Sequence, residues 1–166
     1  MDTGGVDLES LYARERHALT RFAYLLCSDL ASAEDLVQDA FVALSRRAGR
    51  LADPGRTAAY LRVCVLNASR TDHRRTLARR RRHLRVIDRD APGPDEGFIL
   101  AEEHTRVARH VQALPERQRE VVALRYWADL SEAEIADALG ISRGTVKSSA
   151  SRALATIADA LAKEET

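Results

Sequence analysis

At 166 residues and 18.4 kDa, the chain is long enough for one ordinary domain or two small ones and too short for most large enzyme scaffolds. Hydrophobic residues make up 45% and charged residues 31%, with eight Gly and four Pro, a balance that excludes fibrous and disordered classes and favours folded, helix-rich material. The net charge of +1 says nothing about a polyanionic partner, but its distribution does: residues 61–90 hold ten basic side chains against three acidic ones, and residues 91–105 hold none against four.

Leu8, Leu11, Tyr12, Leu19, Phe22 and Leu26 recur at three- and four-residue steps and predict a first helix. Ser32, with Asp35 three residues on, reads as the capping box of a second helix that buries Ala33, Leu36, Val37, Ala40, Phe41 and Leu44 and runs to Gly49. Its opposite face carries Glu34, Asp35, Gln38 and Asp39. After Asp53-Pro54-Gly55, a third helix from about Thr57 is apolar on most sides through Ala68 and then turns strongly basic. The run Asp88 to Glu96, with two prolines and a glycine, predicts a linker over 86–97 between a first domain, 1–85, and a second, 98–166.

The second domain opens with a helix containing Ile99, Leu100, Val107, Val111 and Leu114. Pro115 ends it and starts the next helix at its first turn, which carries Val121, Val122, Leu124 and Tyr126. Ser131 and Glu134 form another capping box, Ile135, Ala136 and Leu139 are the buried side, and Gly140 suits a left-handed stop. Ser142 then caps a last helix with Val146, Ala150, Leu154, Ile157 and Leu161 inward. No segment alternates with a period of two for long enough to be a strand. The predicted fold is all-α: two small helical domains joined by a flexible linker.

Three segments carry chemistry. Residues 130–157, LSEAEIADALGISRGTVKSSASRALATI, pair a short helix, a glycine turn and a second helix, with small Ala136 at the crossing and Val146 pinning it. That is a helix-turn-helix. It sets Arg143, Thr145, Lys147, Ser148, Ser149, Ser151 and Arg152 outward, toward a major groove. The second segment is the basic tract Arg70, Arg74, Arg75, Arg79 to Arg82 and Arg85. Its seven arginines between 74 and 85 repel one another unless a polyanion is near. The third is the acidic face of the second helix, which by charge alone is either a solvated surface or one that meets a basic protein.

A linker of about 12 residues spans about 40 Å when extended, more than the roughly 34–36 Å of one DNA turn, so one chain can hold two separated DNA elements. Cys27 and Cys64 and the five histidines show no metal-ligand or nucleophile spacing. The expectation is therefore no catalytic residue, no metal, no cofactor and no small-molecule substrate. No apolar run approaches the roughly 20 residues of a membrane span, and Asp2, Asp7 and Glu9 replace the basic start of a signal peptide. A cytoplasmic protein without a membrane partner is expected.

The segments SAEDLVQDAFVAL (32–44), AYLRVCVLNASRTDHRR (59–75) and EVVALRYWADLSEAEIADALGISRGTVKSSASRA (120–153) together resemble the sigma-70 family of RNA polymerase sigma factors, of the extracytoplasmic-function (ECF) type, and the small actinobacterial SigE-like group within it. The resemblance runs from about Leu8 to Leu161. It implies a region 2-like domain followed by a region 4-like domain, and a protein that binds core RNA polymerase and directs promoter-specific initiation. Asp35, Gln38 and Asp39 then match residues that dock on the clamp helices of the polymerase β′ subunit. The loop from about Gly49 to Arg56 and the face with Arg62, Asn67, Arg70, Asp72, Arg74 and Arg75 match the segment that recognises and opens the −10 element. Lys147, Ser148, Ser149, Ser151 and Arg152 match positions that read the −35 element. The resemblance also implies an anti-sigma protein that clamps the two lobes together.

The chain departs from its relatives in two places. Many carry Trp or several aromatics in the strand-opening segment, where this chain offers only Tyr60, and many carry Arg where this chain has Ser148 or Ser149. Two other readings remain. The last sixty residues also resemble LuxR-type output domains of conventional activators and repressors, which bind palindromes as dimers and need no acidic face. A helical interaction protein would show no salt-sensitive DNA binding, whereas about five phosphate contacts give a slope of log affinity on log salt near −4.5.

Overall fold

Helix order follows from where the chain offers caps and breakers. The structure, a computed structural model, describes residues 7–27, 29–47, 53–81 and 102–166. Among them are seven α-helices and no strand: α1 Leu8–Leu26, α2 Leu30–Ser45, α3 Pro54–Arg81, α4 Glu102–Gln112, α5 Glu116–Tyr126, α6 Glu132–Leu139 and α7 Arg143–Glu164. The all-α expectation holds. The chain divides into two compact units, residues 1–98 and 99–166. The expected linker, 86–97, lies outside the described residues, as do Ile99, Leu100 and the first half, 49–52, of the loop expected at Gly49 to Arg56, whose residues 54–56 are instead the first turn of α3.

In the first unit α1, α2 and α3 pack on one another. Asp7 caps α1, accepting from the Glu9 N–H at 3.2 Å and from the Ser10 hydroxyl. The start of α2 corrects the sequence reading. Its cap is Asp29, not Ser32: the Asp29 carboxylate accepts from the Ser32 N–H at 2.7 Å and from the Ser32 hydroxyl at 2.8 Å. An aspartate is as good a cap as a serine, and here it catches the first free N–H groups one turn earlier. The helix also stops at Ser45, four residues short of Gly49. α3 begins earlier than expected, with Pro54 in its first turn, where a missing N–H costs nothing. Asp53 precedes it and accepts from the Gly55 N–H through its side chain and the Thr57 N–H through its carbonyl, each at 3.0 Å.

The core between these helices consists of Leu11, Leu19, Phe22, Ala23 and Leu25 from α1, Ala33, Leu36, Val37, Ala40 and Leu44 from α2, and Leu61, Val65 and Leu66 from α3. Small alanines on α2 let the neighbouring helices come close, and each large side chain removed from water contributes about 1.5–3 kcal/mol. Tyr12 closes the α1–α2 seam edge-on to Phe41, ring centroids 5.0 Å apart. The buried hydroxyls of α3 bond back to carbonyls three or four residues earlier: Thr57 donates to that of Asp53 at 2.9 Å, and Ser69 to that of Leu66 at 2.7 Å. Among the described side chains of α3 the last buried one is Ser69; beyond it Thr71 to Arg75, Leu77 and Ala78 are exposed.

The second unit is a four-helix cluster in which α7 packs against α4, α5 and α6. Val111, Val121, Val122, Leu124, Ile135 and Val146 are fully buried in it. Pro115 stands just ahead of α5 as its cap residue, one position before the expected place, a shift within the ordinary uncertainty of helix ends. At the far end, Arg106 and His110 of α4 reach Glu164 of α7 at 3.2 and 3.1 Å.

Leu44 is fully buried on α2, whereas Val42, two residues away, is 50% exposed. Leu44→Ala is expected to destabilise the first unit by about 2–5 kcal/mol, while Val42→Ala stays within about 0.5 kcal/mol of wild type. Urea unfolding followed by circular dichroism measures both.

Candidate functional site: a helix-turn-helix and two charged helix faces

α6 and α7 meet through a turn whose geometry is set by hydrogen bonds. The capping box of α6 is complete: the Glu134 N–H donates to the Ser131 hydroxyl at 3.2 Å, and the Ser131 N–H to the Glu134 carboxylate at 2.7 Å. That bond, followed by the one to the Ser131 side chain, holds the Glu134 carboxyl below the usual range. Gly140 ends α6 at φ 65°, ψ 39°, in the left-handed region, and the Ile141 N–H turns back to the Ala136 carbonyl at 3.0 Å. This is the Schellman stop. A Cβ on Gly140 would meet nothing within 4 Å, so the conformation, not space, demands glycine. Ser142 then caps α7, its hydroxyl accepting from the Thr145 N–H at 3.1 Å.

Most of the residues expected to face outward on α7 do so. Arg143, Thr145, Lys147, Ser151 and Arg152 are exposed, and Ser148 is half-buried with its hydroxyl donating to the Thr145 carbonyl at 3.1 Å. The Thr145 hydroxyl is bonded to that of Ser142 at 2.9 Å, so part of its capacity goes to the cap. Ser149 is a correction. It is only 6% exposed, because it lies three residues after Val146 and four before Ala153, on the arc of α7 that enters the core. Sequence reasoning missed Glu132, the first residue of α6. Its carboxylate lies 3.4 Å from Arg125 of α5, 3.8 Å from Lys147 and 4.0 Å from Arg143. Only the crossing of three helices brings these charges together, and no local spacing signals it.

The first unit presents two charged faces. Glu34, Asp35, Gln38 and Asp39 are all exposed on α2, but they open onto different grooves. Asp35 and Asp39 share an open polar groove of about 360 Å³ with Asp72 and Arg75 of α3, while Glu34 and Gln38 border a smaller one, about 170 Å³, with Tyr12 and Arg16 of α1. On α3, Asn67, Arg70 and Arg74 follow one another at steps of three and four and so share a stripe. Asn67, Arg74 and Arg75 are exposed, and Arg70 is half-buried. Arg62 does not join them: it is half-buried between the core positions Leu61 and Val65. Of the basic tract, Arg79 to Arg81 close α3, and Arg82 and Arg85 lie outside the described residues.

Tyr60, the aromatic that the sequence offers near the expected strand-opening segment, is half-buried with the Arg47 guanidinium 5.7 Å from its ring centroid. Its hydrogen bond with the Cys64 thiol, then burial, holds the phenol above its usual range, and Arg47 acts against both. Burial likewise pushes the Cys64 thiol up. Among the described residues no helix is long and apolar enough to cross a membrane, and no cluster of three or more His, Cys, Asp or Glu could hold a metal ion.

Comparison with known proteins matches both units. The family model described as Sigma-70 region 2 matches residues 11–81, and that described as Sigma-70, region 4 matches residues 104–157. An RNA polymerase sigma-E factor of Streptomyces avermitilis is 36% identical over 151 residues, 90% of this chain and 83% of that protein. An ECF RNA polymerase sigma factor of Mycobacterium tuberculosis, SigM, is 31% identical over 150 residues, 90% of this chain and 74% of its own. Among solved structures, the sigma factor RpoE in complex with the anti-sigma factor NepR from Bartonella quintana matches with a TM-score of 0.71 at 24% identity, covering 93% of this chain and 96% of that one.

Two measurements test the local geometry. Gly140→Ala is expected to cost about 1–2 kcal/mol and Gly140→Asn less, since asparagine tolerates the left-handed region; equal losses in urea would mean that space rather than conformation is limiting. The depressed Glu134 carboxyl contributes stability above its unfolded value of 4.5, and that contribution is lost as pH falls through the lower folded value. Relative to Glu134→Gln, the wild type should therefore lose stability as the pH falls below that unfolded value, measured as the shift in melting temperature.

Proposed function

The chain belongs to the sigma-70 family of RNA polymerase sigma factors, in its ECF branch, and from that membership we propose how its two units divide the work of initiation. As such a factor it binds core RNA polymerase and directs promoter-specific transcription. The first unit docks on the β′ clamp helices through Asp35, Gln38 and Asp39 and engages the −10 element through Asn67, Arg70, Arg74 and Arg75. The second binds the −35 duplex through Arg143, Lys147, Ser148, Ser151 and Arg152, with Thr145 shared between cap and groove. Ser149 is left out because it is buried, and Arg62 is given no base or phosphate because it stands apart from the α3 stripe.

The observation that best supports this reading is the charge arrangement on the first unit. The exposed acidic pair Asp35 and Asp39 on α2 shares a groove with Asp72 and Arg75 of α3, and the same α3 also carries the stripe of exposed Asn67, half-buried Arg70 and exposed Arg74. A conventional helix-turn-helix repressor has no use for such an acidic face, whereas a factor that must hold a basic protein surface and a polyanion at once needs both. The proposed role requires no catalytic residue, metal or cofactor of the chain's own, and it is exercised in the cytoplasm, where polymerase and promoters are. An anti-sigma protein is a further proposed partner, one that would act by covering these same exposed faces.

Run-off transcription with purified core polymerase on genomic fragments tests the reading. Wild type should give specific transcripts, and Asp35→Arg/Asp39→Arg should abolish them while leaving the circular dichroism unchanged, since both carboxylates are exposed. In holoenzyme binding to an active promoter, Arg152→Ala should lower the salt slope by about 0.9 if the guanidinium contacts one phosphate. DNA binding without a transcript from any fragment would instead favour a conventional repressor.

A further inference from the structure

The carboxylate of Glu132 sits where a DNA-binding surface should least tolerate one. Its Oε2 is 3.8 Å from Lys147 Nζ and 4.0 Å from Arg143 Nη2, while Oε1 is 3.4 Å from Arg125 Nη1. The Glu132 side chain is 22% exposed, and those of Arg143 and Lys147 are 68% and 67% exposed. Arg143 and Lys147 are one helical turn apart, hence on one stripe of α7. They are two of the cations that α7 offers at its N-terminal end. A carboxylate between them offsets their charge and repels any phosphate oxygen that approaches, so affinity for a polyanion alone would be higher without it. What the carboxylate supplies is orientation. Two long side chains that would otherwise sample many rotamers are drawn to one point at the mouth of the helix-turn-helix, and Arg125 fixes the carboxylate from the α5 side.

We propose that Glu132 is a specificity-determining positioning residue, which aims Arg143 and Lys147 at base edges and withholds them from indiscriminate phosphate contact. The inference rests on the reading of α7 as the duplex-binding helix. A duplex of arbitrary sequence presents its base acceptors out of register with these cations, so that binding falls back on phosphates, which must be reached against the repulsion of Glu132. A matching duplex offers base acceptors in the groove, which the cations can reach while the carboxylate stays beside them. The same residue thus lowers non-specific binding more than specific binding, and the discrimination ratio rises.

The test uses the full chain loaded on core polymerase. The probes are a promoter duplex that the wild-type holoenzyme transcribes and the same duplex with its upstream half shuffled. Glu132→Gln should tighten binding to the shuffled duplex by roughly two- to fivefold, the size expected for one exposed charge pair, and reduce discrimination by a similar factor. In a Lys147→Gln background the same change should have a smaller effect, because one of the two α7 cations that it acts through is gone. Unchanged discrimination in a variant that melts like wild type overturns the proposal, as does an equal weakening on both duplexes or a full effect in the Lys147→Gln background. Lys147→Gln alone separates the two levels of the argument. If it weakens neither duplex, α7 is not the duplex-binding helix and the proposal falls with that reading; if it weakens binding while Glu132→Gln leaves discrimination intact, only the role of Glu132 falls.

Discussion

Everything the second unit can present depends on one residue in the left-handed region. Gly140 turns the chain between α6 and α7, and with that turn fixed, Val146 is driven fully into the core beside Ile135. The rotation of α7 about its own axis is then no longer free. With Val146, Ala150 and Ala153 inward, Arg143, Lys147, Ser151 and Arg152 must be outward, because the helical period allows no other arrangement. The same constraint buries Ser149. Two serine-based caps, at Ser131 and Ser142, hold the helix starts on either side of the turn, and each spares free N–H groups that would otherwise loosen the first turn.

The first unit solves a different problem, which is to keep opposite charges close without letting them neutralise each other. A complete apolar seam of Leu36, Leu44, Leu61 and Leu66 fixes α2 against α3. Asp35 and Asp39 can then stand along one wall of an open groove and Asp72 and Arg75 along the other, each still exposed to a partner. Had the helices been held by these charges instead of by the core, the charges would have been consumed in the fold. Surface ion pairs contribute little to stability, so leaving them open costs the unit almost nothing and leaves two signs of charge available.

Legibility in the sequence followed the range of the interaction. The capping box at Ser131 and Glu134, the glycine stop at Gly140 and the cap at Ser142 are local devices that reach three to five residues along the chain, and the sequence declares them. The start of α2 was misread because Asp29 and Ser32 both satisfy the rule for a cap, and the rule does not rank two candidates one turn apart. Ser149 was misplaced because its polarity suggested water, although its spacing from Val146 already put it inside; period outweighs polarity when a hydroxyl is small enough to bury. Glu132 was invisible for the opposite reason. Its partners come from α5 and α7, at separations of seven, eleven and fifteen residues, and only the packing of three helices makes them neighbours.

α3 carries this logic to its end. It is a single helix of 28 residues, but among its described side chains the last buried one is Ser69. Beyond that point the helix relies on the intrinsic preference of Arg, Ala and Leu for helical backbone, while the adjacent charges of Arg74 and Arg75 oppose it by mutual repulsion. Such a segment is most stable when a polyanion lies along it, since counter-charge removes the repulsion and leaves the preference intact. Under the proposed role, promoter DNA is that polyanion. Docking the first unit on DNA and stabilising the distal half of α3 then become one event, with the apolar half of the same helix anchoring it in the core.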